Sequence, residues 1–139
     1  MSSSVSRVSA APSAQALAHF SRQLEFETDC WDVNHAIGNN RQDFVLLDVR
    51  GNELFDKGHI EGAVNIAHSR LNEKALVSYP IETLFVVYCA GPHCNGTEKA
   101  AIRLARLGRP VKKMIGGITG WLDEGFDLVA SDNYAQTIT

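Results

Sequence analysis

The sequence has few cysteines, little net charge and no long apolar run, and each shortage excludes a class of protein. Three cysteines among 139 residues are too few, and odd in number, for a secreted disulfide scaffold. No apolar run approaches the roughly 18 residues of a membrane span. The formal net charge of -3 lacks the positive excess that binds nucleic acids and anionic membranes. We therefore expect a cytoplasmic chain with free thiols and with neither a nucleic-acid nor a membrane partner.

The composition, 45% hydrophobic and 21% charged, is typical of one globular domain. Residues 1–12 are rich in serine, show no apolar periodicity and lack the apolar core of a secretory signal. We predict a disordered lead over 1–12, a folded domain over 13–130 and a loose tail over 131–139.

Short apolar runs alternate with helical patterns along the folded part. Strands are predicted at 44–50, 62–67, 83–89 and 111–116. Four helices are predicted: one that begins at Ser13, one that follows a capping Asp29, one at 69–78 and one that follows a capping Thr97. Two shorter helices are predicted within 52–59 and 117–126. This order predicts a parallel sheet covered on both faces, whose ligands bind beyond the carboxyl ends of the strands.

The segment LFVVYCAGPHCNGT, residues 84–97, is the strongest chemical signal in the chain. It runs from a buried strand through a cysteine and a glycine-rich loop into a helix. The N-terminus of a helix has unpaired N–H groups and a positive dipole end, which stabilise a thiolate. We therefore predict that Cys89 is nucleophilic. The predicted site loop around it comprises Ala90, Gly91, Pro92, His93, Cys94, Asn95, Gly96 and Thr97.

Five segments, in order, resemble one known family. They are LLDVR (46–50), GHIEGAVNI (58–66), VVYC (86–89), AAIRLARLG (100–108) and IGGITGWLDEGF (115–126). Together they resemble the single-domain rhodaneses, which are thiosulfate and persulfide sulfurtransferases. The resemblance implies a three-layer α/β/α domain with a five-stranded, mostly parallel sheet.

The resemblance also implies a reaction that needs no cofactor and no metal. A donor such as thiosulfate or a persulfide would leave a sulfur on Cys89, and a small thiophile, a thiol or a protein acceptor would remove it. Asp48, Arg50 and His59 are expected to support the site. Two other functions remain open: a non-catalytic binding module, and a thiol redox switch that uses Cys89 and Cys94.

The loop departs from the family pattern in two ways. It is two residues longer than the usual rhodanese loop, and no Arg or Lys lies between Cys89 and Thr97. His93 is the only candidate cation in it, which weighs against thiosulfate, because a sulfonate favours a fixed positive partner. The missing loop arginine also weighs against phosphatases of this fold, which grip phosphate with such a residue.

Several of these residues have a second interpretation. Cys94 is either a resolving thiol or a residue that packs the loop. Asp48 and Arg50 either line an anion site or brace loops as an ion pair, and the structural interpretation is favoured for His59. Cys30 and Trp121 are expected to be core residues.

Overall fold

The computed structural model describes residues 1–132, and a five-stranded sheet organises them. The strands lie in the order β1-β5-β4-β2-β3, and every neighbouring pair is parallel. They are β1 (Glu27–Thr28), β2 (Val45–Asp48), β3 (Val64–Asn65), β4 (Phe85–Tyr88) and β5 (Val111–Met114). The predicted α/β class and five-stranded sheet are therefore confirmed, and the sheet is wholly parallel.

Helices cover both faces of this sheet. They are α1 (Ser13–Phe26), α2 (Cys30–Gly38), α3 (Asn52–Lys57), α4 (Gly96–Arg106) and α5 (Gly117–Asp123). On one face, Leu104 of α4 packs with Val87 of β4. On the other face, Trp121 of α5 packs with Val86 and with Val33 of α2. The alternation of Val86 and Val87 between two cores is the pleat of a strand buried on both sides, which explains why β4 reads as a continuous apolar run.

Several predicted strands are one or two residues too long at an end, and three further predictions are wrong. The segment 69–78 forms two 3-10 turns, His68–Arg70 and Lys74–Leu76, instead of a helix. Between them, the side chain of Asn72 accepts a hydrogen bond from the amide of Ala75 at 2.9 Å. Such local bonds from asparagine compete with helical ones. The strand expected at 62–67 shortens to Val64–Asn65, because the side-chain amide of Asn65 bonds the carbonyl oxygens of Asp48 and Arg50 where regular pairing would end.

The third error concerns the start of α4. Asn95, not Thr97, occupies the capping position, and the hydroxyl of Thr97 donates to the neighbouring Glu98 at 3.0 Å. The predicted cap at Asp29 is confirmed, since its carboxylate accepts from the amide of Asp32 at 2.8 Å.

The ends of the chain add little to the core. Residues 1–12 contain neither helix nor strand, and α1 has no buried residue. The disorder expected for 1–12 stays a prediction, and most of the predicted tail, residues 133–139, lies outside the described residues. Within residues 1–132, no helix combines the length and the apolar character needed to cross a membrane.

Candidate functional site

Strand β4 delivers Cys89 to the carboxyl edge of the sheet. Cys89 follows Tyr88 directly, and only 5% of its surface is exposed. Its carbonyl accepts a hydrogen bond from the amide of Ile118 at 3.1 Å, and the carbonyl of Ala90 accepts from Thr119 at 3.0 Å. Both donors belong to the first turn of α5. The start of α5 therefore holds the backbone of the site loop in place.

A double glycine makes this contact possible. Gly116 and Gly117 have φ values of 90° and 57°, which L side chains rarely adopt. A Cβ on Gly117 would lie 2.5 Å from the carbonyl oxygen of Cys89 and 2.8 Å from the nitrogen of Gly91. The backbone of the turn thus packs directly against the backbone of the site loop, and no side chain fits between them.

Cys94 approaches Cys89 across the loop, and the two sulfurs are paired as a disulfide. Their Cα atoms are 6.4 Å apart, inside the span of about 4.4–6.8 Å that disulfides bridge. The amide of Cys94 donates to the carbonyl of Gly91 at 3.1 Å, which closes a turn within the loop. The path of the loop therefore brings Sγ of Cys94 onto Sγ of Cys89.

The paired sulfurs lie against the first residue of α4. A Cβ on Gly96 would be 2.9 Å from Sγ of Cys89 and 3.3 Å from Sγ of Cys94. The amide of Gly96 donates to Sγ of Cys94 at 3.4 Å. Since the first amides of a helix lack partners inside the helix, this position favours negative charge on sulfur.

A pocket of about 180 Å³ opens beside the two sulfurs. Loop residues, Glu98 of α4, and the end of β5 with its glycine turn form its wall; the members are Cys89, Gly91, Pro92, Cys94, Thr97, Glu98, Lys113, Met114, Ile115, Gly116 and Gly117. A more open hollow of about 1040 Å³ lies beside α3 but is lined by no cysteine. We therefore take the smaller pocket as the candidate site, because it is lined by the two cysteines although its volume is smaller.

Lys113 supplies a cation that the loop itself lacks. It lines the pocket from β5, with its ammonium 2.9 Å from Glu98 and 3.6 Å from Glu27. The hydrogen bond to Glu98 is the main reason that the pKa of Lys113 is raised. Burial opposes the ionisation of Glu98, but hydrogen bonds from Lys113, the backbone and Thr97 outweigh it and lower the pKa of that carboxyl. The cation is therefore accompanied by two carboxylates, so the cluster is net negative.

Lys113 was not among the residues predicted from the sequence, because its place at the pocket depends on the pairing of β5 with β4. In the parallel register Lys113 is the partner of Val87, whose side chain faces α4. A lysine at that alternating position points to the same side of the sheet as Cys89.

Asp48 and Arg50 form an ion pair away from the pocket. The guanidinium of Arg50 donates to the carboxylate of Asp48 and to the carbonyl of Gly58, each at 2.6 Å. Burial works against the charge of Arg50, but the hydrogen bond and charge of Asp48 prevail and raise the pKa of Arg50. Neither residue lines the pocket beside Cys89. The geometry matches the loop-bracing interpretation of the pair.

Neither candidate histidine lines the pocket beside the two sulfurs. His59 stacks on Phe55 at 3.7 Å between ring centroids, and its Nδ1 is 2.7 Å from the carbonyl of Phe55. It borders the hollow beside α3. His93 is exposed and, like Ala90 and Asn95, does not line the pocket.

Cys30 occupies a different environment on the other face of the sheet. Its thiol points at the carbonyl oxygens of Ile115 and Gly117, at 3.5 and 3.7 Å. Burial, followed by the charges of Asp29 and Glu124, raises the pKa of Cys30 to about 11. Across residues 1–132, no three His, Cys, Asp or Glu side chains converge as metal ligands would.

The fold and the site together define this protein as an α/β domain with a parallel sheet, whose carboxyl edge carries a cysteine followed by a glycine-rich loop. The model of the family described as "Rhodanese-like domain" matches residues 32–124, which is more than half of the chain. The chain therefore belongs to the rhodanese-like domain family.

Similar proteins span different sizes. The chain is 36% identical over 88 residues to the HTH-type transcriptional regulator Rv0324 of Mycobacterium tuberculosis, covering 58% of this chain and 38% of that protein. It is 31% identical over 87 residues to the adenylyltransferase and sulfurtransferase UBA4 of Yarrowia lipolytica, covering 60% of this chain and 22% of that one. The chain thus matches less than half of the length of either relative.

One solved structure matches this chain over a larger share of both proteins. The BH2092 protein of Bacillus halodurans superposes with a TM-score of 0.83 at 33% sequence identity. The match covers 86% of this chain and 88% of that protein. The two proteins therefore share their fold over most of both chains.

Proposed function

We propose that this protein is a sulfurtransferase in which Cys89 carries the transferred sulfur as a persulfide. The observation that carries the proposal is the position of Cys89, at the end of β4 and against the first residue of α4. A sulfur nucleophile is activated by such a position, because helix N–H groups favour the thiolate over the thiol. Family membership and the sulfurtransferase among the similar proteins support the same chemistry.

The charges around the pocket favour a persulfide donor over thiosulfate. Lys113 is neutralised by Glu98 and Glu27, so the pocket offers a dianion little net attraction. A low-molecular-weight persulfide carries at most one negative charge on its sulfur and suits this balance better. We place the reaction in a reducing compartment such as the cytoplasm, where Cys89 and Cys94 are held as thiols.

The reaction divides into two steps. The Cys89 thiolate attacks the outer sulfur of the donor, the donor's sulfur–sulfur bond breaks, and the donor leaves as a thiolate. A thiol or other thiophile then removes the outer sulfur from Cys89. Amides at the start of α4 stabilise negative charge on sulfur in both steps.

The test is mass spectrometry of the fully reduced protein after treatment with glutathione persulfide or thiosulfate. The Cys94→Ser variant is used as the acceptor, because it leaves Cys89 as the only thiol in the loop. We expect its Cys89 peptide to gain one sulfur atom from the persulfide and less from thiosulfate. In the same Cys94→Ser background, Cys89→Ser should gain none, and Cys30→Ser is the matched control that should load normally. If no donor loads Cys89, the proposal is wrong.

The disulfide favours one second candidate, a thiol redox switch without sulfur transfer. Cys89 and Cys94 lie close enough to pair without movement of the backbone. In that case mild oxidant would pair them reversibly in the wild type, while no donor would load sulfur on Cys89 of Cys94→Ser. A protein that neither loads sulfur nor forms the disulfide would instead fit a non-catalytic binding module.

A further inference from the structure

Sulfur transfer by Cys89 alone gives no role to Cys94, although the loop brings the sulfurs of the two residues together. Cys94 reaches Sγ of Cys89 itself, and the Cys94–Gly91 hydrogen bond of 3.1 Å fixes that approach. Both sulfurs share one wall of a pocket that has room for an additional sulfur atom. The following inference rests on the proposed function and extends it to the acceptor.

We propose that Cys94 is a resolving thiol that discharges the Cys89 persulfide and releases its outer sulfur as hydrosulfide. The thiolate of Cys94 attacks Sγ of Cys89, and a bond forms between these two sulfurs. The bond from Sγ of Cys89 to the outer sulfur of the protonated persulfide breaks, and its electron pair leaves with that sulfur and its proton as HS⁻. The outer sulfur is reduced by two electrons, and the two cysteines together are oxidised to a disulfide.

The geometry favours attack on the inner sulfur over relay of the outer one. Attack at Sγ of Cys89 would form the same disulfide that the structure contains, within the existing turn. The outer sulfur would then occupy the adjacent pocket, from which HS⁻ can leave. The net negative cluster of Lys113, Glu98 and Glu27 would disfavour retention of this anion.

The disulfide must then be reduced, and the required co-reactant is a dithiol reductant. Cys94 is more exposed than Cys89 and is therefore the sulfur that an external thiolate reaches. Attack there expels Cys89 as a thiolate beside the first turn of α4, which stabilises a leaving thiolate. The second thiol of the reductant completes the exchange and leaves as part of a disulfide. Cys89 and Cys94 are then ready for another sulfur.

A single-turnover experiment on the full chain tests this inference. Reduced wild type and Cys94→Ser are each treated with one equivalent of glutathione persulfide, passed rapidly through a desalting column and incubated without any reductant. We expect the wild type to release one equivalent of hydrosulfide and to lose two hydrogens in the peptide pair containing Cys89 and Cys94. The rate should not depend on protein concentration, because the step is intramolecular. Cys94→Ser should keep the additional sulfur on Cys89.

The outcomes separate this inference from the proposed function. If Cys94→Ser holds the sulfur but the wild type holds it equally long, Cys94 does not resolve the persulfide and the inference is overturned. A wild type with the additional sulfur on Cys94 would also overturn it, in favour of relay. Failure of Cys94→Ser to load any sulfur would instead contradict the proposed function. Cys30→Ser is the control, and it should release hydrosulfide as the wild type does.

Discussion

Cys30 and Cys89 are buried to the same extent but in opposite electrostatic surroundings. Each has 5% of its surface exposed, and each lies close to the Gly116–Gly117 turn. Cys30 packs in the core on one face of the sheet and Cys89 in the core on the other. A helical glycine lies beside each sulfur: a Cβ on Gly120 would be 3.3 Å from Sγ of Cys30, and a Cβ on Gly96 would be 2.9 Å from Sγ of Cys89.

From this difference we expect the reduced thiols of Cys30 and Cys89 to differ in reactivity although they are equally buried. Around Cys30, burial is the main cause that raises the pKa to about 11, followed by the charges of Asp29 and Glu124, and two carbonyl oxygens accept from the thiol. Around Cys89, the first residue of α4 lies close to the sulfur, and its amide donates to Sγ of the paired Cys94. Oxygen acceptors stabilise the protonated form, whereas helix amides stabilise the anion.

The largest expected difference is in alkylation by iodoacetamide at pH 7. A thiol with a pKa of about 11 has about one molecule in ten thousand as thiolate at that pH. In reduced Cys94→Ser we therefore expect the Cys89 peptide to be modified at least about a thousandfold faster than the Cys30 peptide. Mass spectrometry of a time course gives both rates from one sample. Rates within tenfold of each other would show that the two environments do not differ as described.

The next effect concerns Gly117, whose turn touches both environments. Gly117→Ala places a methyl group 2.5 Å from the carbonyl oxygen of Cys89 at a φ of 57°. We expect it to lower the free energy of unfolding by about 3 kcal/mol, because strain and a backbone clash add. Urea denaturation measures this. Gly125→Ala is the control: φ is 83° there but no atom lies within 4 Å, so only strain of about 1 kcal/mol remains. Equal losses for both variants would contradict the close contact.

A smaller effect concerns alkaline pH and Cys30. Because the pKa of Cys30 is raised in the folded protein, the folded state keeps its proton at pH values where the unfolded chain loses it. The stability gained from this residue is therefore present below its ordinary pKa and is lost as pH rises toward 11. We measure the free energy of unfolding by urea denaturation at about pH 8.5 and about pH 10.5. Relative to that of Cys30→Ala, the free energy of unfolding of the wild type should fall by about 1–2 kcal/mol between these two pH values. An unchanged difference between the two curves would refute the shift.

The smallest effect concerns Lys113 at the pocket. Lys113→Met removes the cation and leaves Glu98 and Glu27 unbalanced, so we expect kcat/KM for an anionic persulfide donor to fall about three- to tenfold. Lys112→Met is the control, because its register partner Val86 faces the other core. The effect should shrink with added salt, since these groups are partly exposed. Equal losses in both variants would rule out a specific role for Lys113.

Much of the fold could be predicted because its signals are local. The apolar run of β4, the cap at Asp29 and the glycine-rich loop after Cys89 each depend on neighbours in the chain, and they were located correctly. The helix predicted at 69–78 failed because the side chain of Asn72 takes the place of a helical hydrogen bond. Strand β1 has two residues, too few for an apolar pattern, and exists by pairing with β5.

The sequence by itself determined that Cys89 stands between a buried strand and a helix, since strand, loop and helix are contiguous. Only the tertiary structure decided which groups surround it. The pairing with Cys94 depends on the path of the loop, and Lys113 reaches the pocket through sheet pairing with a strand far along the chain. The different environment of Cys30 likewise arises from carbonyl groups of the distant segment 115–117. The reactivity of each thiol depends on electric fields that non-local contacts create, and those contacts exist only after the chain has folded.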